Sequence, residues 1–270
     1  MQLGVLVRNM GPASAPETVL AAARAADEAP GIADLWVTDH IAIPPDDAEG
    51  SGGRYLDPLA TLATVAGATT RIGLGTAVLV LPYRPALATA KWVATVQELS
   101  GERLRLGVGV GWMTAEFRAV GVDHRRRGRI TDDTLAFLDR CFAGDVVEAN
   151  GQPFYFRPRP ARPPLLIGGA PAHAFRRALR HRAGWMPMGV TAEFLRTPAT
   201  QLREAAAAAG LPPPAIVVLG TLPRRDPPAA SAALAAYAAA GATQVIHAER
   251  YANVTEFLRM RDDLARVTSV

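Results

Sequence analysis

The chain has 270 residues, 49% of them hydrophobic and 20% charged, which is the composition of an ordered globular protein with ample material for one large core. Lys91 is the only lysine among the 29 basic residues, and the formal net charge of +4 reads either as attraction for an anionic ligand or as a solvated arginine surface. The single cysteine, Cys141, excludes intrachain disulfides and cysteine-rich metal or iron–sulfur sites.

Strand-like and helix-like runs alternate along the chain. Residues 3–7 read as a strand, followed by a helix over 16–29; 34–38 leads through a Gly/Pro/Asp-rich loop to a helix over 58–69. A long strand over 72–81 precedes a helix over 85–99, and 104–110 precedes helical stretches at 114–120 and 129–142. Strands at 165–167, 185–188, 216–219 and 244–246 are followed by helices at 172–181, 192–209, 229–240 and 254–266. Continuously apolar strands point to a parallel sheet buried on both faces, and eight β-then-α units predict a closed (β/α)8 TIM barrel occupying residues 1–270 as one domain. Residues 144–164 interrupt the rhythm as a β-hairpin turning at Asn150-Gly151, with a proline-rich approach to the fifth strand. The opening residues 1–7 read as a strand and not a leader, and no apolar run reaches the roughly 18 residues of a membrane span, so the expected compartment is the cytosol.

Chemistry in such a barrel belongs at the C-terminal strand ends. The first strand ends in Arg8-Asn9 and the second in Thr38-Asp39-His40. The third carries Thr76-Ala77-Val78, with Leu81-Pro82-Tyr83-Arg84 beyond it. The fourth opens into Gly109-Val110-Gly111-Trp112, with Glu116 one helical turn further, and the fifth ends in Gly168-Gly169-Ala170-Pro171. His40 is the candidate acid/base, because an imidazole changes charge near neutral pH; Asp39 would hold it or bond a ring edge. Gly168, Gly169 and Ala170, followed by Pro171 at a helix start, suit a phosphate group, with Arg176 and Arg177 on the same helix; a tight glycine turn is the plain alternative. Gly109, Val110 and Gly111 leave room for a planar ligand with Trp112 as a wall or as ordinary packing. Their GxGxG spacing is not the dinucleotide fingerprint.

Other chemistries fall away. There is no GxSxG, no P-loop, and no metal-ligand spacing among His40, His124, His173, His181 and His247. The basic run 124–129 lacks the interleaved aromatics of a nucleic-acid surface, so no nucleic-acid partner is expected.

The segments Leu35-Trp36-Val37-Thr38-Asp39-His40, Asp57-Pro58-Leu59-Ala60-Thr61-Leu62, Thr70 to Val78, Leu99-Ser100-Gly101-Glu102-Arg103, and Gly107 to Trp112 with Glu116-Phe117 together resemble the bacterial luciferase-like superfamily of flavin- and deazaflavin-dependent oxidoreductases. Residues 163–169 and Gly184-Trp185 complete the set, which covers most of the chain. The resemblance implies a (β/α)8 barrel, a homodimer, a non-proline cis peptide at Ala77–Val78, and a cofactor ring over the strand ends near Asp39, Thr76, Ala77 and Val78. It is strongest to the branch that uses coenzyme F420, implying hydride transfer to or from a small organic substrate with His40 as proton donor or acceptor. The alternatives are an FMN-dependent monooxygenase working with a flavin reductase, and a non-catalytic flavin-binding barrel. The sugar-phosphate dehydrogenases of the superfamily carry a Trp shortly after the His and a Glu beside the fourth-strand glycines; Pro44 and Trp112 stand here, so glucose-6-phosphate oxidation is not expected. Ala183 replaces an Asp common before the Gly-Trp pair, which weakens a ring contact there.

Overall fold

A computed structural model describes residues 1–268 of the chain. Eight parallel strands form the barrel in the order β1 (Gln2–Leu6), β2 (Asp34–Val37), β3 (Gly73–Thr76), β5 (Leu104–Gly109), β8 (Leu165–Gly168), β9 (Gly184–Met186), β10 (Val217–Gly220) and β11 (Gln244–His247). β11 pairs back onto β1, and isolated parallel bridges Trp185–Ile216 and Met188–Leu219 close the seam between β9 and β10. The short β4 (Leu79–Val80) pairs with β5. The long third strand expected at 72–81 is therefore two pieces, separated by a non-proline cis peptide at Ala77–Val78.

Helices α1 (Pro16–Glu28), α2 (Pro58–Ala66), α3 (Ala86–Leu99), α4 (Thr114–Ala119), α5 (Arg127–Ala143), α6 (Pro171–Arg180), α7 (Ala192–Ala208), α8 (Pro227–Ala239) and α9 (Val254–Thr268) surround the sheet. In α1, Val19, Ala22, Ala23 and Ala26 recur at helical spacing and are buried against the barrel. Helix starts follow local chemistry: Asp57 and Asp226 accept hydrogen bonds from the first-turn amides of α2 and α8, each with proline next in line. The expected hairpin is β6 (Val146–Ala149) against β7 (Gln152–Tyr155), with Asn150 at φ 51° and Gly151 at φ 76° supplying the left-handed pair that a tight turn needs.

The barrel interior is packed in layers. At its base Asp34 is held by Arg105 and Gln244. Trp36 fills the middle; a Cβ on Gly4 would lie 2.7 Å from its indole nitrogen, and one on Gly75 would collide with its ring. These two glycines are present because the tryptophan takes their space. Above it, Leu6, Ala77, Leu166, Met186, Val217 and Ile246 form the last apolar layer below the mouth. Strand alternation then places Arg8, Gly168, Met188 and Leu219, each two residues beyond a member of that layer, around the mouth, with Val78 directly after Ala77 and His40 four residues past Trp36.

Candidate functional site

His40 follows β2 three residues after its last paired position, Val37, and an even number of residues from Trp36. Its Nδ1 lies 3.0 Å from a carboxylate oxygen of Glu116 at the start of α4. The same carboxylate accepts from the amides of Ile41 at 2.6 Å and Ala42 at 3.0 Å, and from the Tyr83 hydroxyl at 2.8 Å. Burial alone would push the Glu116 carboxyl up, but the Ala42 amide, Tyr83 hydroxyl, Ile41 amide and nearby His40 outweigh it and hold it below the ordinary carboxylate range. Burial, followed by the bond to Glu116, drives the Tyr83 phenol upward, so Tyr83 remains a donor. An ionised carboxylate only accepts, so the His40 proton is on Nδ1. Among the described residues Nε2 has no hydrogen-bond partner, and it is not sealed from solvent, which leaves its lone pair available at the mouth.

Tyr55 lies beside the imidazole with ring centroids 4.9 Å apart, and Trp112 meets it edge-on at 6.2 Å. Trp112 is 71% exposed, so it is a wall of the mouth and not a packing residue. Asn9, fully buried, donates to the carbonyls of Thr38 and Leu56 and accepts from the Thr38 amide, fixing the ends of β1 and β2.

Asp39 plays a different part from the one its neighbour suggested. Its buried carboxylate accepts a two-toothed bond from Arg84, at 2.6 and 2.8 Å, and a bond from the Val80 amide. Arg84 also reaches Asp57, the cap of α2. Burial would lower the Arg84 guanidinium, but Asp39 and Asp57 hold it higher than usual. Asp39 thus ties β2 to the segment after β3, and His40 is held by Glu116 instead. Thr76 is likewise committed: its buried hydroxyl donates 2.7 Å to the Gly107 carbonyl on β5. Arg176 pairs with Asp132 on α5 and is 72% exposed, away from the start of α6; Arg177 binds the same Asp132.

The glycines divide into two kinds. A Cβ on Gly109 would sit 2.5 Å from a Val78 methyl, and one on Gly168 would sit 3.0 Å from the other, so both make room for Val78. A side chain on Gly111, at φ 75°, would crowd Val80 and Phe117; its neighbours Val110 and Trp112 are half-buried and exposed. Gly169, at φ 113°, has nothing within 4 Å of its missing side chain. Its carbonyl is pinned by the Trp185 indole at 2.9 Å, and Ala170 begins α6 with no side-chain cap. An uncapped helix start beside open glycine backbone fits an anionic tail. Among the described residues no cluster has the makings of a metal site, and no helix is long and apolar enough to cross a membrane.

A closed parallel barrel with its polar constellation at the strand ends is the arrangement of an enzyme. The chain belongs to the luciferase-like monooxygenase family, which matches it over residues 1–269. An uncharacterized protein of Mycobacterium tuberculosis is 31% identical over 183 residues, spanning 61% of this chain and 63%, under two thirds, of that relative. The FMNH2-dependent dimethylsulfone monooxygenase of Pseudomonas fluorescens is 29% identical over 148 residues, spanning 52% of this chain and 40% of that one. Among solved structures, the monooxygenase RslO1 from Streptomyces bottropensis superposes with a TM-score of 0.79 at 20% identity, covering 100% of this chain and 97% of that one. An F420-dependent secondary alcohol dehydrogenase, in complex with an F420–acetone adduct, superposes at 0.68 and 17% identity, covering 98% and 83%.

Proposed function

We propose that this chain is an F420-dependent oxidoreductase that moves a hydride to or from a small organic substrate, with His40 as the proton donor or acceptor. The observation that carries the reading is the His40–Glu116 pair at the mouth. Bound F420 would supply the hydride chemistry. The chain's own residues would bind and orient. Val78 would back the ring, Gly109, Val110, Gly111 and Trp112 would border it, and Gly168, Gly169 and Ala170 would take the anionic tail, a reading supported by the open backbone at Gly169 and the uncapped start of α6. Glu116 keeps the His40 proton on Nδ1, so Nε2 takes a proton from a hydroxyl as a hydride leaves the carbon, or returns one as a hydride arrives.

Water access also favours hydride transfer. Oxygen activation needs a dry site. Here Trp112 is 71% exposed and Met188 54% exposed at the rim. The second reading, an FMN-dependent monooxygenase supplied by a flavin reductase, is favoured by the full-length similarity to a monooxygenase. Assembly as a homodimer belongs to either reading, supported by the exposed apolar side chains of Leu87, Trp92 and Leu99 on α3. The test is turnover of reduced F420 with a panel of ketones, aldehydes and activated alkenes. Wild-type protein should consume it, and His40→Ala should lose about 10²–10⁴-fold in rate. Oxygen uptake with reduced FMN and no F420 turnover would move the protein to the second reading.

A further inference from the structure

The two halves of the barrel mouth differ in chemistry. The β5–β8 half is uncharged: Val78 fills the side-chain space of Gly109 and Gly168, and the backbone lies open only at Gly169. Directly opposite, across a barrel of eight strands, lies the β11–β1 half, and it carries two arginines. Arg8 stands one pleat above Leu6 of the interior layer, anchored through its amide to the Tyr251 hydroxyl at 2.8 Å. Its Nε is buried with no hydrogen-bond partner, and its guanidinium forms no ion pair among the described residues. Arg250, just past β11, is exposed and equally unpaired, its guanidinium beside Gly50 of the rim loop. Two neighbouring carboxylates are committed elsewhere: Glu249 to Arg224 and His247, Glu116 to His40. Burial pushes the phenol of Tyr55, the ring that lies against His40, above its ordinary value, with the Ser51 bond and the charges of Arg8 and Arg250 opposing the rise. Met188 and Leu219, on the next strands round the mouth, offer an apolar flank.

A buried donor without a partner is costly unless a ligand completes it, and chain elsewhere pairs its buried arginines with care. We infer that Arg8 and Arg250 form an oxyanion site on the substrate side of the mouth, so that the substrate is an organic anion such as a carboxylate, with its apolar body on Met188 and Leu219 and its reacting carbon toward His40. The inference rests on the oxidoreductase reading for the word substrate, but the anion site itself can be measured without turnover.

The experiment titrates benzoate and, separately, its uncharged counterpart benzamide into protein with and without saturating F420, by calorimetry at constant ionic strength. Benzoate should bind one-to-one at least about tenfold more tightly than benzamide, as expected for charge-assisted bonds to a guanidinium. Arg8→Met and Arg250→Met should each erase that preference while leaving thermal unfolding and F420 affinity unchanged. Equal binding of the two probes, no saturable benzoate binding up to about 10 mM, or a preference that survives both substitutions overturns the inference. Loss of F420 affinity in Arg8→Met, with benzoate unaffected, overturns it in favour of the cofactor's own anionic tail. Failure of F420 to bind wild-type protein, with the benzoate preference intact in the cofactor-free arm, counts against the cofactor and supports the anion site.

Discussion

Replacing Glu116 with glutamine probes the centre of the account. In the wild type one carboxylate takes four donors: His40, Ile41, Ala42 and Tyr83. A glutamine oxygen can keep the two amides, because Ile41 and Ala42 share Oε1. Its NH2 group then faces His40 Nδ1 and the Tyr83 oxygen, where acceptors were needed before. His40 must give up its Nδ1 proton and carry it on Nε2, turning a lone pair toward the amide. All four charge-assisted bonds become neutral ones, at about 1 kcal/mol each, so the expected loss is about 3–4 kcal/mol and about 6–16 °C in unfolding temperature. The fold and cofactor binding should survive. Ring-nitrogen correlations in a histidine-labelled NMR sample should show the tautomer switch directly. Turnover should fall about as far as in His40→Ala, and the double variant should fall no further, because the two residues act as one unit. An unchanged His40 tautomer in Glu116→Gln would refute the reasoning, as would rate losses of the two single variants that multiply in the double.

Other outcomes follow from the same contacts. Arg84→Met leaves the fully buried Asp39 carboxylate without its two-toothed partner and should cost about 3–5 kcal/mol in denaturant unfolding, the penalty of a broken buried pair; a loss below about 1 kcal/mol would remove Asp39 from the structural role given to it. Gly109→Ala drives a methyl to 2.5 Å from Val78 and should destabilise by about 1–3 kcal/mol while weakening cofactor binding. Stability should also depend on acid in a defined direction. The Glu116 carboxyl titrates below its ordinary value of 4.5 when folded, so its contribution is present above that value and is lost as pH falls through the lower, folded one. Unfolding measured from pH about 6 downward should therefore fall more steeply for wild type than for Glu116→Gln, and parallel curves would contradict this.

Much of the barrel was legible in the chain because it is written locally. Apolar strands flanked by helix starts such as Asp57-Pro58 and Asp226-Pro227 carry their own boundaries, and Asn150-Gly151 announces its turn. What the sequence could not show was pairing at a distance. Asp39 adjoins His40 in the chain, yet alternation along an extended strand points consecutive side chains to opposite faces, and Asp39 goes outward to Arg84, 45 residues on. Glu116 reaches His40 from 76 residues away, through a helix that begins only after the fourth barrel strand has ended. Both Arg84 and Glu116 lie beside strand ends, and a buried acid at the start of a short helix was the signal available for Glu116. Arg176 was attractive for its position on α6, but helical periodicity carries its side chain to Asp132, more than a turn past the uncapped amides. Thr76 and Gly109 show a related limit: residues at the ligand-facing end of a strand also have to hold that strand, and Thr76 spends its hydroxyl on Gly107.

The central claim is the cofactor, and a fluorescence titration of the purified protein with oxidised F420, and separately with FMN, tests it most directly. The account predicts saturable, tight binding of F420 with FMN weaker by at least about tenfold, or about 1.4 kcal/mol. The reverse preference would contradict it and assign the barrel to flavin-dependent oxygen chemistry.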